Sequence, residues 1–234
     1  VEKQFRGFAH AEQVSVGDPS APTLVSRSYF DTGRTYESMK GKVLRVTAET
    51  EDGRIFTDNS TAWTVPPRVL MTGTNAQTVN YVNAIGSTNL TLEVGQGTPG
   101  RLESETDYDQ FGNQTRAANY GIVENGDRTA FDDERVTITE YAINTNAWII
   151  RAPKRTLVQD ENGAVIARSE SFYDDETFSG NNFGSVTVGN LTLRRDWIDS
   201  FEVFPYSIPA IKQLTTIELH RNVTFFVGEN GTGK

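Results

Sequence analysis

The chain has 234 residues, of which 36% are apolar and 23% charged, a globular balance with enough length to bury a substantial core. Its net charge of -9 argues against nucleic-acid backbones and anionic membranes as main partners, since both call for a basic patch. Cysteine is absent, which removes disulfides, thiolate catalysis and cysteine zinc sites, and no apolar run is long enough to span a bilayer.

The chain begins at Val1 rather than a methionine and shows no basic-then-apolar signal, so the natural N-terminus is expected to lie upstream. Period-two alternation then dominates. Lys42–Thr50 is rich in β-branched residues and ends at the turn Glu51-Asp52-Gly53-Arg54, after which Ile55-Phe56-Thr57 resumes an extended pattern. Leu90, Leu92 and Val94 alternate with Thr91 and Glu93, and Val136 and Ile138 with Thr137 and Thr139, running on into Tyr141 and Ile143.

Turn chemistry marks three hairpins. Ile122-Val123 meets Asn125-Gly126; Leu157-Val158 and Ala164–Ala167 flank Asp160-Glu161-Asn162-Gly163; Val186-Thr187-Val188 and Leu191-Thr192-Leu193 flank Gly189-Asn190. No helical periodicity competes before residue 205. The pattern predicts an all-β fold of short strands at turn spacing.

Polar clusters carry no strong site signal. Asp132-Asp133-Glu134 and Asp174-Asp175-Glu176 could hold calcium or act as an acid/base pair, but solvated loops are the expected reading. Asp107–Gly112 fails as a calcium loop, because Phe111 stands where an oxygen ligand belongs. His10 and His220 are far apart in sequence, and no nucleophile triad is supported. The Asn-x-Ser/Thr triplets at Asn59, Asn89, Asn113 and Asn190 fit chance in a chain rich in these residues.

Two motifs are more specific. Tyr108-Asp109-Gln110-Phe111-Gly112-Asn113 has the Tyr-Asp-x-x-Gly-Asn form of a YD repeat, and Tyr173-Asp174 looks like a second, with Thr177 where the glycine would stand. The order Phe5-Arg6-Gly7-Phe8, Tyr29-Phe30-Asp31-Thr32-Gly33, Lys42–Arg45, the Tyr108 motif and Asp133-Glu134-Arg135 resembles Rhs proteins and the B component of bacterial insecticidal toxin complexes. The resemblance covers residues 1–198. It implies an irregular YD/Rhs-type sheet, one stretch of a hollow shell that encloses a toxic C-terminal polypeptide. Tyr108, Asp109, Gly112, Asn113, Tyr173 and Asp174 would be its repeat residues. The partners it implies are neighbouring repeats and other toxin-complex subunits, and the setting is secreted and bacterial. The family's autoproteolytic centre has no counterpart here, so no catalytic residue is carried over. The two Tyr-Asp pairs lie 65 residues apart, far wider than a regular array of about 20 residues per unit.

Residues 199–234 read as a second, incomplete domain. An apolar strand, Val223–Val227, runs into Gly228-Glu229-Asn230-Gly231-Thr232-Gly233-Lys234, a Gly-x-x-x-x-Gly-Lys loop in the right context. This resembles the opening of ABC and Rad50/SMC-like ATPase heads. Gly228, Asn230, Gly231 and Gly233 would cradle phosphate, and Lys234 would reach its outer oxygens. The Ser/Thr for magnesium and the following helix do not occur after Lys234, so neither ATPase activity nor an ATP/Mg cofactor is expected. Three readings therefore stand: a non-enzymatic shell wall, an ATP-binding protein, and a carbohydrate- or surface-binding β module with Trp63, Trp148 and Trp197 as stacking platforms.

Overall fold

A computed structural model describes residues 4–92 and 99–198. Its strands are β1 (His10–Ser15), β2 (Leu24–Phe30), β3 (Val43–Thr50), β4 (Ile55–Trp63), β5 (Arg68–Thr72), β6 (Thr78–Tyr81) and β7 (Ala84–Thr91). They continue as β8 (Gly100–Tyr108), β9 (Gln114–Ile122), β10 (Arg135–Asn144), β11 (Ile149–Gln159), β12 (Val165–Tyr173) and β13 (Leu191–Ile198). The only helix among the described residues is a 3-10 turn, Glu37–Met39.

Eleven of these strands form one antiparallel meander, in the order β1-β2-β3-β4-β7-β8-β9-β10-β11-β12-β13, with β5 and β6 as a separate hairpin between β4 and β7. The sheet is roughly 50 Å across at about 4.8 Å per strand. The all-β expectation is met, and β3, β4, β10 and the β11–β12 hairpin lie where alternation and turn residues put them. One predicted hairpin does not form. Val186-Thr187-Val188 is a loop rather than a strand, and it is β12 that precedes the turn into β13.

The sheet has no broad apolar side. Buried apolar residues are scattered and mostly small, among them Val25, Ala118, Val123, Ala142 and Ala152. Ala142, Ala152, Tyr173 and Val186 form a cluster, with Ile149 packed against it. Directly opposed residues share a face, which lets each side be read from the register.

One face carries charges. Glu140, Arg155, Glu170 and Arg195 form a row across β10–β13, and Glu12 opposes Arg27 across β1–β2. The other face carries mostly small neutral groups. Thr61, Ser87, Ser104 and Asn119 form one row across β4, β7, β8 and β9, which ends at Arg135 of β10, and Thr139, Thr156 and Ser169 another, which ends at Asp196 of β13. A layer that is polar on both faces cannot be the half of a sandwich, which needs one apolar side.

Candidate functional site

The Tyr108 motif builds a corner. β8 ends at Tyr108, and the chain turns through Asp109–Asn113 into β9. The Asp109 amide donates to the Asn113 carbonyl at 2.9 Å, and the Gly112 amide to the Asp109 carbonyl at 3.2 Å. Gly112 sits at φ +81°, the left-handed region that this three-residue hairpin loop requires. The Asp109 carboxylate then accepts from the amides of Phe111 and Asn113 and from Asn113 Nδ2, at 2.8–2.9 Å. Asn113, fully buried, also donates to the Ile150 carbonyl and so ties the corner to β11.

The same frame recurs. In Asp160–Ala164 the Asp160 amide donates to the Ala164 carbonyl, Gly163 takes φ +79°, and the carboxylate accepts from the amides of Asn162 and Ala164. Thr50–Arg54 repeats it, with the Thr50 hydroxyl accepting from the Arg54 amide in place of a carboxylate. Two corners are stretched. Asp31 pairs with Lys42 and Gly41, and Asp174 with Asn190, around longer insertions.

At the second of these the Asp174 carboxylate gathers the amides of Thr187, Val188, Gly189 and Asn190 at 2.7–3.1 Å. Partial desolvation pushes its carboxyl up, but these four N–H donors outweigh that and hold it far below the usual aspartate range. This explains why Val186–Val188 is a loop, since the amides of Thr187 and Val188 serve Asp174 instead of a strand. Asp174 and Asp175 are therefore backbone staples rather than a solvated acidic loop. Asp175 accepts from the amides of Thr177 and Gly180.

A second repeat overlays the first. On alternate strands β2, β4, β8, β10 and β12 the pairing with the next strand slips at Tyr29/Phe30, Ala62/Trp63, Asp107/Tyr108, Glu140/Tyr141 and Phe172/Tyr173. An aromatic residue follows each bulge. Four of these rings donate to a carbonyl on the preceding strand: Trp63 Nε1 to Val43, Tyr108 to Ala84, Tyr141 to Gln114 and Tyr173 to Pro153, at 2.8–3.0 Å. Burial raises the phenol pKa of both Tyr141 and Tyr173.

The aromatic positions 108, 141 and 173 are about 33 residues apart, as are 30 and 63. The wide spacing of the two Tyr-Asp pairs is thus two units of two strands, with Tyr141 between them. Sequence reading missed Trp63 and Tyr141 as members of this row, and only a search at a 33-residue period would have found them.

The other candidates fall out accordingly. Trp63 is one of the repeat rings, and Lys42 lies 5.0 Å over its face. Trp197 lies under the Arg168 guanidinium. Trp148 is 56% exposed and edge-on to Phe111, in the left-handed region at φ +55°. In the Asp132–Glu134 run, Glu134 is buried and Asp133 accepts from the Ile122 amide, so this loop is not simply solvated. Among the described residues no group of three or more His, Asp or Glu side chains could hold a metal. Val223–Val227, His220 and the P-loop-like residues Gly228, Asn230, Gly231, Gly233 and Lys234 lie outside the described residues.

On the charged face, carboxylates are buried against guanidiniums. Glu103 meets Arg101 and Arg128, and Glu170 meets Arg155 and Arg168. Burial raises both carboxyl pKa values, but the guanidinium hydrogen bonds prevail and hold them below the usual glutamate range. A shallow cavity of about 510 Å³ lies here between Arg68, Glu103, Glu105, Arg128 and the β4–β7 strands. Its charges already have protein partners: Arg68 donates to the carbonyls of Tyr108 and Asp109, and Arg128 to both glutamates. No array of unpaired catalytic groups emerges among the described residues.

No family model matches the chain, and no curated protein matches it in sequence. Solved structures do match. A TcdB2–TccC3–Cdc42 structure superposes with a TM-score of 0.61 at 12% identity over 83% of this chain. The Tc holotoxin pore of Photorhabdus luminescens, carrying a TccC3 mutation, and a TcdB2–TccC3–TEV structure each give 0.60 at 12% over 83%. The fold is that of a stretch of these toxin-complex chains. The match spans 14% of the length of each of them. At 12% identity what is shared is the path of the backbone.

Proposed function

We propose that this chain is one stretch of the wall of an Rhs-type toxin-complex shell, acting outside the bacterial cell to enclose a toxic polypeptide and carrying no chemistry of its own. The observation that supports this most is the single-layer sheet, polar on both faces, joined to the backbone likeness with toxin-complex chains. A wall has solvent or cargo on both sides, so it needs no apolar face. It also needs neighbours along its edges.

β1 and β13 each pair on one side only among the described residues, and every residue of β1 is exposed. An edge of this kind exposes unpaired N–H and C=O groups and is a template for further strands. Bulges recurring on alternate strands bend and twist the layer, which is what a curved wall requires. In this reading neighbouring repeats cover the two edges, and other toxin-complex subunits complete the shell.

Amide hydrogen exchange tests it. The outward amides of β1 and β13 should exchange fast in the chain alone and be protected in the assembled complex, while β8 and β9 are protected in both. Equal, fast exchange of both edge strands with and without the complex would contradict a place in the wall.

A further inference from the structure

The two faces of the sheet differ in more than charge. Three excursions fold onto the same side, the one bearing the Glu140–Arg155–Glu170 row. Arg128, from the loop between β9 and β10, lies 4.2 Å over the Tyr120 ring and bonds Glu103 and Glu105. Phe183, in the loop between β12 and β13, packs edge-on against Phe172 with the Arg155 guanidinium 4.8 Å over its ring. Arg68, from the β5–β6 hairpin, borders the cavity whose floor is Ser60, Gly86 and Thr88 of the same side. The opposite side, with its rows of threonine, serine and asparagine, receives none of these three.

From this asymmetry we infer that, within the shell proposed above and resting on that reading, the serine, threonine and asparagine face lines the enclosed space and the Arg/Glu face looks outward. Three physical reasons converge. On a curved sheet side chains converge on the concave side, which favours small residues, and spread apart on the convex side, which has room for long arginines and for inserted loops. An insertion on the outside takes no volume from the cargo. A surface made mostly of short hydroxyl and amide groups, on which Arg135, Arg194 and Asp196 are each held in an ion pair, also leaves an enclosed, unfolded polypeptide little to hold, so cargo is confined without being bound. The occupant of the plain face is therefore a non-native polypeptide in loose contact with it.

The absence of cysteine makes the test direct. Asn59 and Ser60 are adjacent, both exposed, and on opposite faces: Asn59 opposes Asn89 on the plain side, and Ser60 opposes Thr88 on the charged side. Asn59→Cys and Ser60→Cys are prepared singly in the intact protein and treated, in the assembled complex, with a maleimide on a polymer too bulky to enter the lumen. A small maleimide on denatured samples confirms both thiols. The expected result is labelling of S60C and loss of at least nine-tenths of labelling for N59C, restored on disassembly. Labelling of N59C with S60C protected overturns the orientation and leaves the wall intact. Protection of both also overturns it, because the outer face would then be covered. Labelling of both overturns the wall itself.

Discussion

The corners at Asp109–Asn113 and Asp174–Asn190 share one frame and differ in what fills it. In each, an aspartate amide donates to a carbonyl at the far side of the turn, a glycine stands at positive φ next to that residue, and the carboxylate takes the last amide. The first closes in five residues and the second in seventeen. Strand pairing is therefore set by the two ends of the corner, and the interior is free to grow. The growth at Asp174 carries Phe183 onto the charged face and supplies Val186 to the buried cluster. Lengthening loses little loop-closure entropy while adding packing.

That comparison breaks most visibly at Asp174. Asp174→Ala removes the acceptor of four backbone amides and should cost roughly 3 kcal/mol in denaturant unfolding, against roughly 2 kcal/mol for Asp109→Ala, which loses fewer donors. Equal losses would mean the long loop holds its shape without its carboxylate. The charge gives a pH signature as well. Because folding lowers the Asp174 pKa, its stabilisation is complete above the ordinary aspartate range and is lost as pH falls through that range and beneath it. Stability of the native chain should therefore decline below about pH 4 more steeply than that of Asp174→Asn, as read from thermal midpoints across pH.

Glycine substitutions sharpen the frame. A Cβ at Gly112 would stand 3.2 Å from the Tyr81 ring, whereas one at Gly163 would meet open space. Both carry the strain of positive φ, so Gly163→Ala should cost about 1 kcal/mol and Gly112→Ala about 2 kcal/mol in the same unfolding assay. The smallest effect is the aromatic handle. Tyr141→Phe loses one hydroxyl bond to Gln114 and should cost about 1 kcal/mol, matching Tyr108→Phe and Tyr173→Phe if the three are equivalent parts of one repeat.

These particulars show what a sequence can and cannot carry. Alternation and turn residues placed β3, β4, β10 and the Asp160–Ala164 corner, because each depends on neighbours within a few residues. The Asp174 corner defeated local reading, since its glycine and asparagine partners lie far along the chain and nothing in Val186–Val188 marks those amides as taken. Bulges were invisible for a related reason: an extra residue in a strand leaves composition unchanged and alters only register. Tyr108 and Asp109 were legible as a motif. Their equivalents Trp63 and Tyr141 were not, because neither is followed by an aspartate.

The central claim is that this layer is a wall, with nothing packed to fill either face as a core. Single-particle imaging of the assembled complex tests it most directly. The account predicts a hollow particle in which the eleven strands of the meander lie in a one-strand-thick boundary, edge-paired on both sides, with the serine, threonine and asparagine rows facing the lumen. Finding either face buried against a second sheet or helical layer, in a particle without a lumen, would contradict it.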